Sequence, residues 1–167
     1  ILSQYSAQLN LGSAYLRDIP FSDLKAFETI FSNFPERLHL QLANSSTVRY
    51  SQLFDIPQHA EVYCNRGTSG IEGSTATAVG AAMINPNPCL LVTGDLSFFY
   101  DINGLWNDYI PSNFRIVLIN NQGGGIFRIL PGVKDSPIYD TYFETIHNRN
   151  ARRICKDFGF HYKAANT

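Results

Sequence analysis

The sequence predicts an α/β fold, a three-layer sandwich in which a mainly parallel sheet carries helices on both faces. Two apolar runs rich in β-branched residues, at 90–93 and 115–119, are typical of strands buried on both sides. The segment between them, residues 100–109, is long enough for a crossover helix, so the two strands are expected to run parallel. Each run is followed by polar residues and glycine, at the edge where open α/β sheets bind ligands.

Length and composition indicate one globular domain with a substantial core. The 167 residues are 44% hydrophobic and 16% charged, and the formal net charge of -1 gives no basic surface for nucleic acid. No apolar run reaches membrane-spanning length and no signal-peptide pattern opens the chain, so we expect a cytoplasmic protein. We divide this single domain into leading helices (1–36) and a sheet with ligand-binding loops (37–167). The chain begins without Met and ends just after a strand-like segment, which indicates a fragment of a longer protein.

Alternation, capping residues and turn residues predict the other elements. Ser22 is a suitable N-cap for a helix over 23–33, and Pro35 ends that segment. Alternating apolar residues over 38–43 indicate a strand, and Gly159 is typical of the end of a helix. In chain order the further predicted elements are helices at 1–17 and 23–33, a strand at 38–43, a helix at 47–54, a strand at 61–64, a helix at 71–84, a loop at 133–142, a helix at 150–158 and a fifth strand from residue 160.

The predicted helix at 71–84 consists almost entirely of small residues. Helix propensity does not explain Gly73 and Gly80, because each costs a helix interior roughly 1 kcal/mol relative to alanine. Close packing against another element would explain both glycines. That contact would lie either within the domain or at a subunit interface, and the sequence leaves both alternatives open.

Polar residues after the two central strands offer oxygen atoms suited to a divalent cation. Asp95 supplies a carboxylate, Asn121 an amide oxygen and Gly123 a backbone carbonyl, which together suit Mg²⁺ with its remaining ligands taken from phosphates and water. Leu96 and Ser97 offer a backbone N–H and a hydroxyl to a phosphate at a helix start. Either half alone is also ordinary turn chemistry. Together, at the ends of adjacent strands, they favour a metal–diphosphate clamp.

Two arginines are candidate binders of substrate carboxylates. Arg49 lies about one turn into the helix that follows residues 44–46, and Arg66 lies beside a glycine-containing loop at 67–70. The planar guanidinium of arginine suits bidentate binding of carboxylates. Simple helix capping by residues 44–46 and a surface location of the arginines remain the alternatives.

Four blocks of sequence, in order along the chain, resemble a known family. They are residues 44–49 (NSSTVR), 65–73 (NRGTSGIEG), 94–101 (GDLSFFYD) and 120–130 (NNQGGGIFRIL). The Gly-Asp and Asn-Asn pairs, about two dozen residues apart, resemble the signature of thiamine diphosphate-dependent enzymes. The four blocks together, which extend over about half of the chain, resemble the 2-succinyl-5-enolpyruvyl-6-hydroxy-3-cyclohexene-1-carboxylate synthase family of menaquinone biosynthesis.

The resemblance implies a role for residues in all four blocks. The implied Mg²⁺ ligands are Asp95, Asn121 and the carbonyl of Gly123. The implied thiamine diphosphate contacts are Ser45, Ser69, Gly70, Ile71, Leu96, Ser97 and Ile126. The implied substrate-binding residues are Arg49, Arg66, Ile126, Phe127 and Leu130.

The resemblance also implies a reaction and partners. The family decarboxylates 2-oxoglutarate and adds the resulting carbanion to isochorismate, a transfer for which the cofactor acts as electron sink. Its activating glutamate belongs to a pyrimidine-binding domain, normally of another subunit in a homo-oligomer. We therefore assign no catalytic residue to this chain and expect the isolated chain to be inactive. Another thiamine diphosphate decarboxylase or synthase, or a non-catalytic assembly module, are the alternatives.

Overall fold

A four-stranded, all-parallel sheet organises the chain, with the strand order β2-β1-β3-β4. The computed structural model describes residue 12 and residues 14–166. The strands are β1 (Leu38–Leu42), β2 (Ala60–Cys64), β3 (Cys89–Gly94) and β4 (Phe114–Ile119). The order reverses between β1 and β3, which creates a crevice at the carboxyl ends of these strands. The predicted α/β class with a mainly parallel sheet is confirmed.

Short helices connect and cover the strands. Within the described part of the chain, no helix has the length and apolar character needed to cross a membrane. The helices are α1 (Asp23–Phe31), α2 (Ser46–Ser51), α3 (Ser74–Ile84), α4 (Asp95–Tyr100) and α5 (Arg152–Asp157), with 3₁₀ turns at Ile102–Leu105 and Gly125–Arg128 and a π-helical turn at Tyr139–Phe143.

Each face of the sheet has its own hydrophobic cluster, because successive side chains of a strand point to opposite faces. On one face Leu40 and Val92 pack beneath α1, where Phe27 is 1% exposed and stacks on Tyr50 with ring centroids 5.2 Å apart. On the other face, the cluster around Leu91 draws on α3 and α4. Helices therefore cover both faces, as a three-layer sandwich requires.

The prediction of helix α1 is confirmed in detail. The hydroxyl oxygen of Ser22 accepts a hydrogen bond from the backbone N–H of Lys25 at 3.3 Å, so Ser22 is the N-cap. Of the predicted helix at 1–17, residues 12 and 14–17 are helical, and the rest lies outside the described residues.

The predicted crossover helix at 100–109 is wrong in position. The helix begins at Asp95, directly after β3, and ends at Tyr100. Asp101 follows as the C-cap, and its carboxylate accepts the backbone N–H of Ala76 at 2.8 Å, near the start of α3. Beyond it, Gly104 lies so close to α3 that a Cβ atom there would be 2.8 Å from the nitrogen of Ala76. The sequence pattern carries no trace of this contact.

The predicted fifth strand is also wrong. Gly159, with φ +73°, ends α5 as expected. Phe160 then packs edge-on against Phe114 of β4, with ring centroids 6.4 Å apart. Residues 161–166 are exposed and form no strand. A second aromatic contact follows, because the guanidinium of Arg152 lies over the ring of Tyr162, 5.5 Å from its centroid. Side-chain contacts rather than strand pairing therefore hold this segment. At the other edge of the sheet, β2 is also poorly covered, and Tyr63 is 51% exposed.

The two glycines of the small-residue helix have different explanations. Gly73 has φ +78°, a left-handed conformation that favours glycine, and it precedes α3 rather than lying within it. Gly80 is exposed, and a Cβ atom built there would meet no atom within 4 Å. Close packing within the domain is therefore wrong as the reason for Gly80, which leaves the subunit interface as the remaining hypothesis.

Replacing Phe27 with alanine should lower the free energy of unfolding by about 3–5 kcal/mol, the usual result of emptying a buried aromatic site. The matched control is Phe21→Ala, because Phe21 is 52% exposed and its truncation should change stability by less than about 0.5 kcal/mol. Urea unfolding of both variants measures the difference. Equal losses would contradict the placement of α1 against the sheet.

Candidate functional site

Polar loops from all four strands meet at the carboxyl edge of the sheet. Asn44 follows β1, Arg66 follows β2, Asp95 follows β3 and Asn121 follows β4. Two contacts join them in pairs. The guanidinium of Arg66 donates to the Oδ1 atom of Asn44 at 2.9 Å, and the N–H of Gly123 donates to Oδ2 of Asp95 at 3.1 Å. This convergence is the arrangement that the sequence predicts.

Asp95 is a buried carboxylate at the centre of this edge. Its side chain is 2% exposed, and its Oδ1 atom accepts the N–H of Leu96 at 2.7 Å. Burial raises the pKa of Asp95 above its ordinary value, while the hydrogen bonds from Leu96 and Gly123 and the nearby His147 oppose that rise. A carboxylate removed from water without a strong positive partner is suited to a bound cation.

His147 lies against the same carboxylate and was missed by the sequence analysis. Its Nε2 atom is 3.3 Å from Oδ2 of Asp95, yet the two are not aligned for a hydrogen bond. Its Nδ1 atom accepts the N–H of Arg149 at 3.1 Å, so a neutral imidazole carries its proton on Nε2, facing Asp95. The edge of the imidazole meets Phe99, with ring centroids 5.4 Å apart.

Asn121 and Gly123 lie in the turn that follows β4. The Nδ2 atom of Asn121 donates to the Asp23 carboxylate of α1 at 2.6 Å, and the carbonyl of Gly123 accepts the N–H of Gly125 at 2.9 Å. Gly123 has φ +152°, and a Cβ atom there would lie 2.7 Å from the carbonyl oxygen of Glu144. Only glycine fits this position.

The oxygen donors at this edge fit Mg²⁺. The carboxylate of Asp95, the carbonyl of Gly123 and the amide oxygen of Asn121 are hard ligands, and one acidic group accompanies two neutral ones. No cluster of three His, Cys, Asp or Glu side chains suited to a metal occurs among the described residues. A cation held here would thus depend on further oxygen atoms, such as those of a diphosphate.

Both predicted phosphate donors are engaged within the chain. The N–H of Leu96 donates to its neighbour Asp95, and the hydroxyl of Ser97 donates to the carbonyl of Ile71. The second bond joins α4 to the loop at 65–73, which brings two predicted cofactor contacts together. The other predicted contacts include Ser45 and Ser69, both with positive φ, at 68° and 57°.

Asn44 is buried and fastens the loop after β2. Its Nδ2 atom donates to the carbonyl oxygens of Asn65 at 3.1 Å and Gly70 at 2.6 Å, while its oxygen accepts from Arg66. The sequence analysis left helix capping by residues 44–46 as an alternative, but the N-cap of α2 is Ser45, which makes no side-chain capping hydrogen bond. Through these three contacts Asn44 sets the positions of Arg66 and Gly70.

The two arginines have donors to spare. Arg49 donates one N–H to the carbonyl of Ser45 at 2.9 Å, and Arg66 uses one N–H on Asn44. Neither arginine forms an ion pair with a carboxylate within residues 14–166. Each guanidinium is therefore held by a single bond and keeps other N–H groups for an anionic ligand.

The predicted apolar wall divides into a buried and an exposed part. Ile126 is buried in the 3₁₀ turn, and Phe127 packs edge-on against Phe143 with ring centroids 5.7 Å apart. Leu130 is 40% exposed. Leu130 can therefore contact a ligand directly, whereas Ile126 mainly holds the turn in place.

Comparison with known proteins agrees with this geometry. Residues 44–167 match the family model described as the thiamine pyrophosphate enzyme, C-terminal TPP binding domain. The chain belongs to this family, and its cofactor is thiamine diphosphate. The cofactor and the resemblance predicted from the four sequence blocks are thus confirmed.

Individual relatives carry a more specific name. The chain is 56% identical over 153 residues to a 2-succinyl-5-enolpyruvyl-6-hydroxy-3-cyclohexene-1-carboxylate synthase of Christiangramia forsetii and, at the same identity and length, to one of Flavobacterium psychrophilum. Each match covers 92% of this chain, but 26% and 28% of the relatives. A synthase of the same name from Bacteroides fragilis is 45% identical over 146 residues, which is 87% of this chain and 26% of that relative. The chain spans about a quarter of the length of these curated relatives.

Replacing Asp95 with alanine should weaken thiamine diphosphate binding at least about tenfold, because the charged oxygen donor of the metal site is lost. The loss should depend on Mg²⁺ concentration, and cofactor titration of the full-length protein at several Mg²⁺ concentrations measures it. Asp101→Ala is the control, since Asp101 is a buried acid whose carboxylate caps α3. If Asp95→Ala leaves the affinity for thiamine diphosphate unchanged, Asp95 is a turn residue and not a metal ligand.

Proposed function

We propose that this chain is the pyrophosphate-binding domain of a thiamine diphosphate- and Mg²⁺-dependent transferase, a decarboxylating carboligase that converts 2-oxoglutarate and isochorismate in menaquinone biosynthesis. The observation that carries the proposal is that a buried carboxylate, Asp95, and two arginines follow strands at the same edge of the sheet. A metal–diphosphate site needs the carboxylate, and substrates with several carboxylates need the arginines. The names of the relatives support the same reaction.

The proposed cofactor site has three parts. Asp95, Asn121 and Gly123 would hold Mg²⁺, whose charge would offset that of a diphosphate. When bound, the cofactor would supply an electron sink for the decarboxylation of a 2-oxo acid. The bulky side chain of Ile71 would support the thiamine from the loop at 65–73. The remaining contacts are Ser45, Ser69, Gly70, Leu96, Ser97 and Ile126.

The group that activates the cofactor lies outside this chain in our proposal. A glutamate of a pyrimidine-binding domain, supplied by another subunit of a cytoplasmic homo-oligomer, completes the site. The chain itself, with leading helices at 1–36 and the sheet and cofactor loops at 37–167, binds and orients. We therefore expect no turnover of 2-oxoglutarate by the isolated chain.

The substrate pocket rests on Arg49 and Arg66, with Phe127 and Leu130 as an apolar wall. Asn44 accepts one hydrogen bond from Arg66 and the carbonyl of Ser45 accepts one from Arg49, so each guanidinium keeps further N–H groups for a carboxylate. A lysine has the positive charge of an arginine but lacks its planar set of N–H donors, so it cannot make both the anchoring bond and a bidentate contact. This difference separates a substrate role from a general surface role.

Arg49→Lys and Arg66→Lys should each weaken the apparent affinity for 2-oxoglutarate or isochorismate roughly tenfold to a hundredfold, as expected when a charge-assisted hydrogen bond is lost. Affinity for thiamine diphosphate should change little. Steady-state kinetics on the full-length protein, with each substrate varied in turn, measures both. Arg115→Lys is the control, because Arg115 lies at the start of β4 and donates to nearby carbonyl groups. Wild-type constants for both site variants would remove the substrate assignment and leave the cofactor class.

The exposed face of α3 supports the subunit contact. Ala76, Thr77 and Gly80 are exposed small residues on one side of this helix. Because a Cβ atom at Gly80 would meet no described atom within 4 Å, and because glycine lowers helix stability, its small size is accounted for if a second subunit packs closely against it.

Gly80→Leu should weaken subunit association, because the larger side chain would separate the packed surfaces. Met83→Leu on the same helix is the control, since Met83 is exposed and already has a long side chain. Sedimentation of the full-length protein over a range of concentrations compares the two. Association unaffected by Gly80→Leu would place the interface elsewhere.

A further inference from the structure

We infer that Asp23 of α1 is a positioning residue of the metal site, whose carboxylate orients the amide of Asn121. The inference rests on the proposed function, in which Asn121 is a metal ligand. Oδ2 of Asp23 accepts a hydrogen bond of 2.6 Å from Nδ2 of Asn121, across 98 residues of sequence. The contact connects the first turn of a leading helix with the turn after the last strand of the sheet.

The Asp23 carboxylate determines the orientation of the Asn121 side-chain amide. The two ends of an asparagine amide have nearly the same shape, but one is a donor and the other an acceptor. An ionised carboxylate accepts hydrogen bonds only, so the nitrogen of Asn121 must face Asp23 and its oxygen must point away. A cation binds the oxygen alone. Asp23 therefore selects the orientation of Asn121 that can serve as a metal ligand.

Neighbouring groups keep this contact in place. Helix α1 is capped by Ser22 and anchored by the buried Phe27, so Asp23 enters the contact from a fixed position. On the other side, Gly125 leaves room for the amide, because a Cβ atom there would lie 2.6 Å from its nitrogen. The backbone of Asn121 is held separately, since its carbonyl accepts from Arg128 at 3.0 Å. The side chain thus depends on Asp23 for its orientation.

A purely structural tether between α1 and the turn is the competing explanation. Loss of a tether would weaken cofactor binding by the same factor at every Mg²⁺ concentration. Loss of an oriented ligand would lower the apparent affinity for Mg²⁺, because only a fraction of the protein then has the Asn121 amide in the orientation that binds the metal. This loss would matter most when the Mg²⁺ concentration is low. Dependence on Mg²⁺ therefore separates the two.

The test is titration of the full-length protein with thiamine diphosphate, without substrates, followed by intrinsic fluorescence at limiting and at saturating Mg²⁺. We expect Asp23→Ala and Asp23→Asn to weaken affinity roughly threefold to tenfold at limiting Mg²⁺, the range for one hydrogen bond. The gap should close at saturating Mg²⁺. Asp23→Asn is the sharper variant, because it keeps size and packing but can face either end of the Asn121 amide. Glu28→Ala is the matched control, since Glu28 is an acid of the same helix paired with Lys25.

A double-mutant cycle completes the test. If Asp23 acts through Asn121, then Asp23→Asn should add nothing to the loss caused by Asn121→Ala. Losses that add, that match Glu28→Ala, or that are equal at all Mg²⁺ concentrations would overturn the inference. Wild-type protein without Mg²⁺-dependent cofactor binding would instead overturn the proposed function, so the two failures can be told apart.

Discussion

Placing one carboxylate, Asp95, in a dry position at the end of β3 is the constraint on which the rest of the site depends. Its pKa is raised by burial above the ordinary value of 3.8, so the folded chain binds this proton more tightly than the unfolded chain. By linkage, stability falls as pH rises from that ordinary value through the raised one, and above it the carboxylate is charged in an unfavourable place. A bound cation reverses this cost. The burial that makes the charge of Asp95 unfavourable without a cation therefore also favours binding of a cation there.

The parallel sheet explains why so few residues can build the site. Since all four strands run in one direction, every strand delivers its following loop to the same edge. Neighbouring loops then support each other by short contacts, as Asn44 does for Arg66 and Gly123 does for Asp95. Arg66 and Asp95 are each thereby held by a loop from a neighbouring strand.

The sequence predicts the strands and the site loops because their signals are local. Apolar runs mark the buried strands, and Gly-Asp or Asn-Asn pairs mark where they end. Asp23 and His147 could not be predicted from the sequence, because their roles come from contacts with residues far along the chain. No hydrophobic periodicity encodes such contacts. The segment predicted as the crossover helix contains residues of the same kind, because Asp101 and Gly104 both lie against α3.

The edge strand β2 has a practical consequence for handling this domain. Its outer side carries backbone N–H and C=O groups that no other described strand pairs, next to the half-exposed Tyr63. Such an edge is a template for the addition of another strand, so we expect the domain alone to associate through it at high concentration. Covering that edge is thus a condition for keeping the domain monomeric, separate from anything its cofactor loops require.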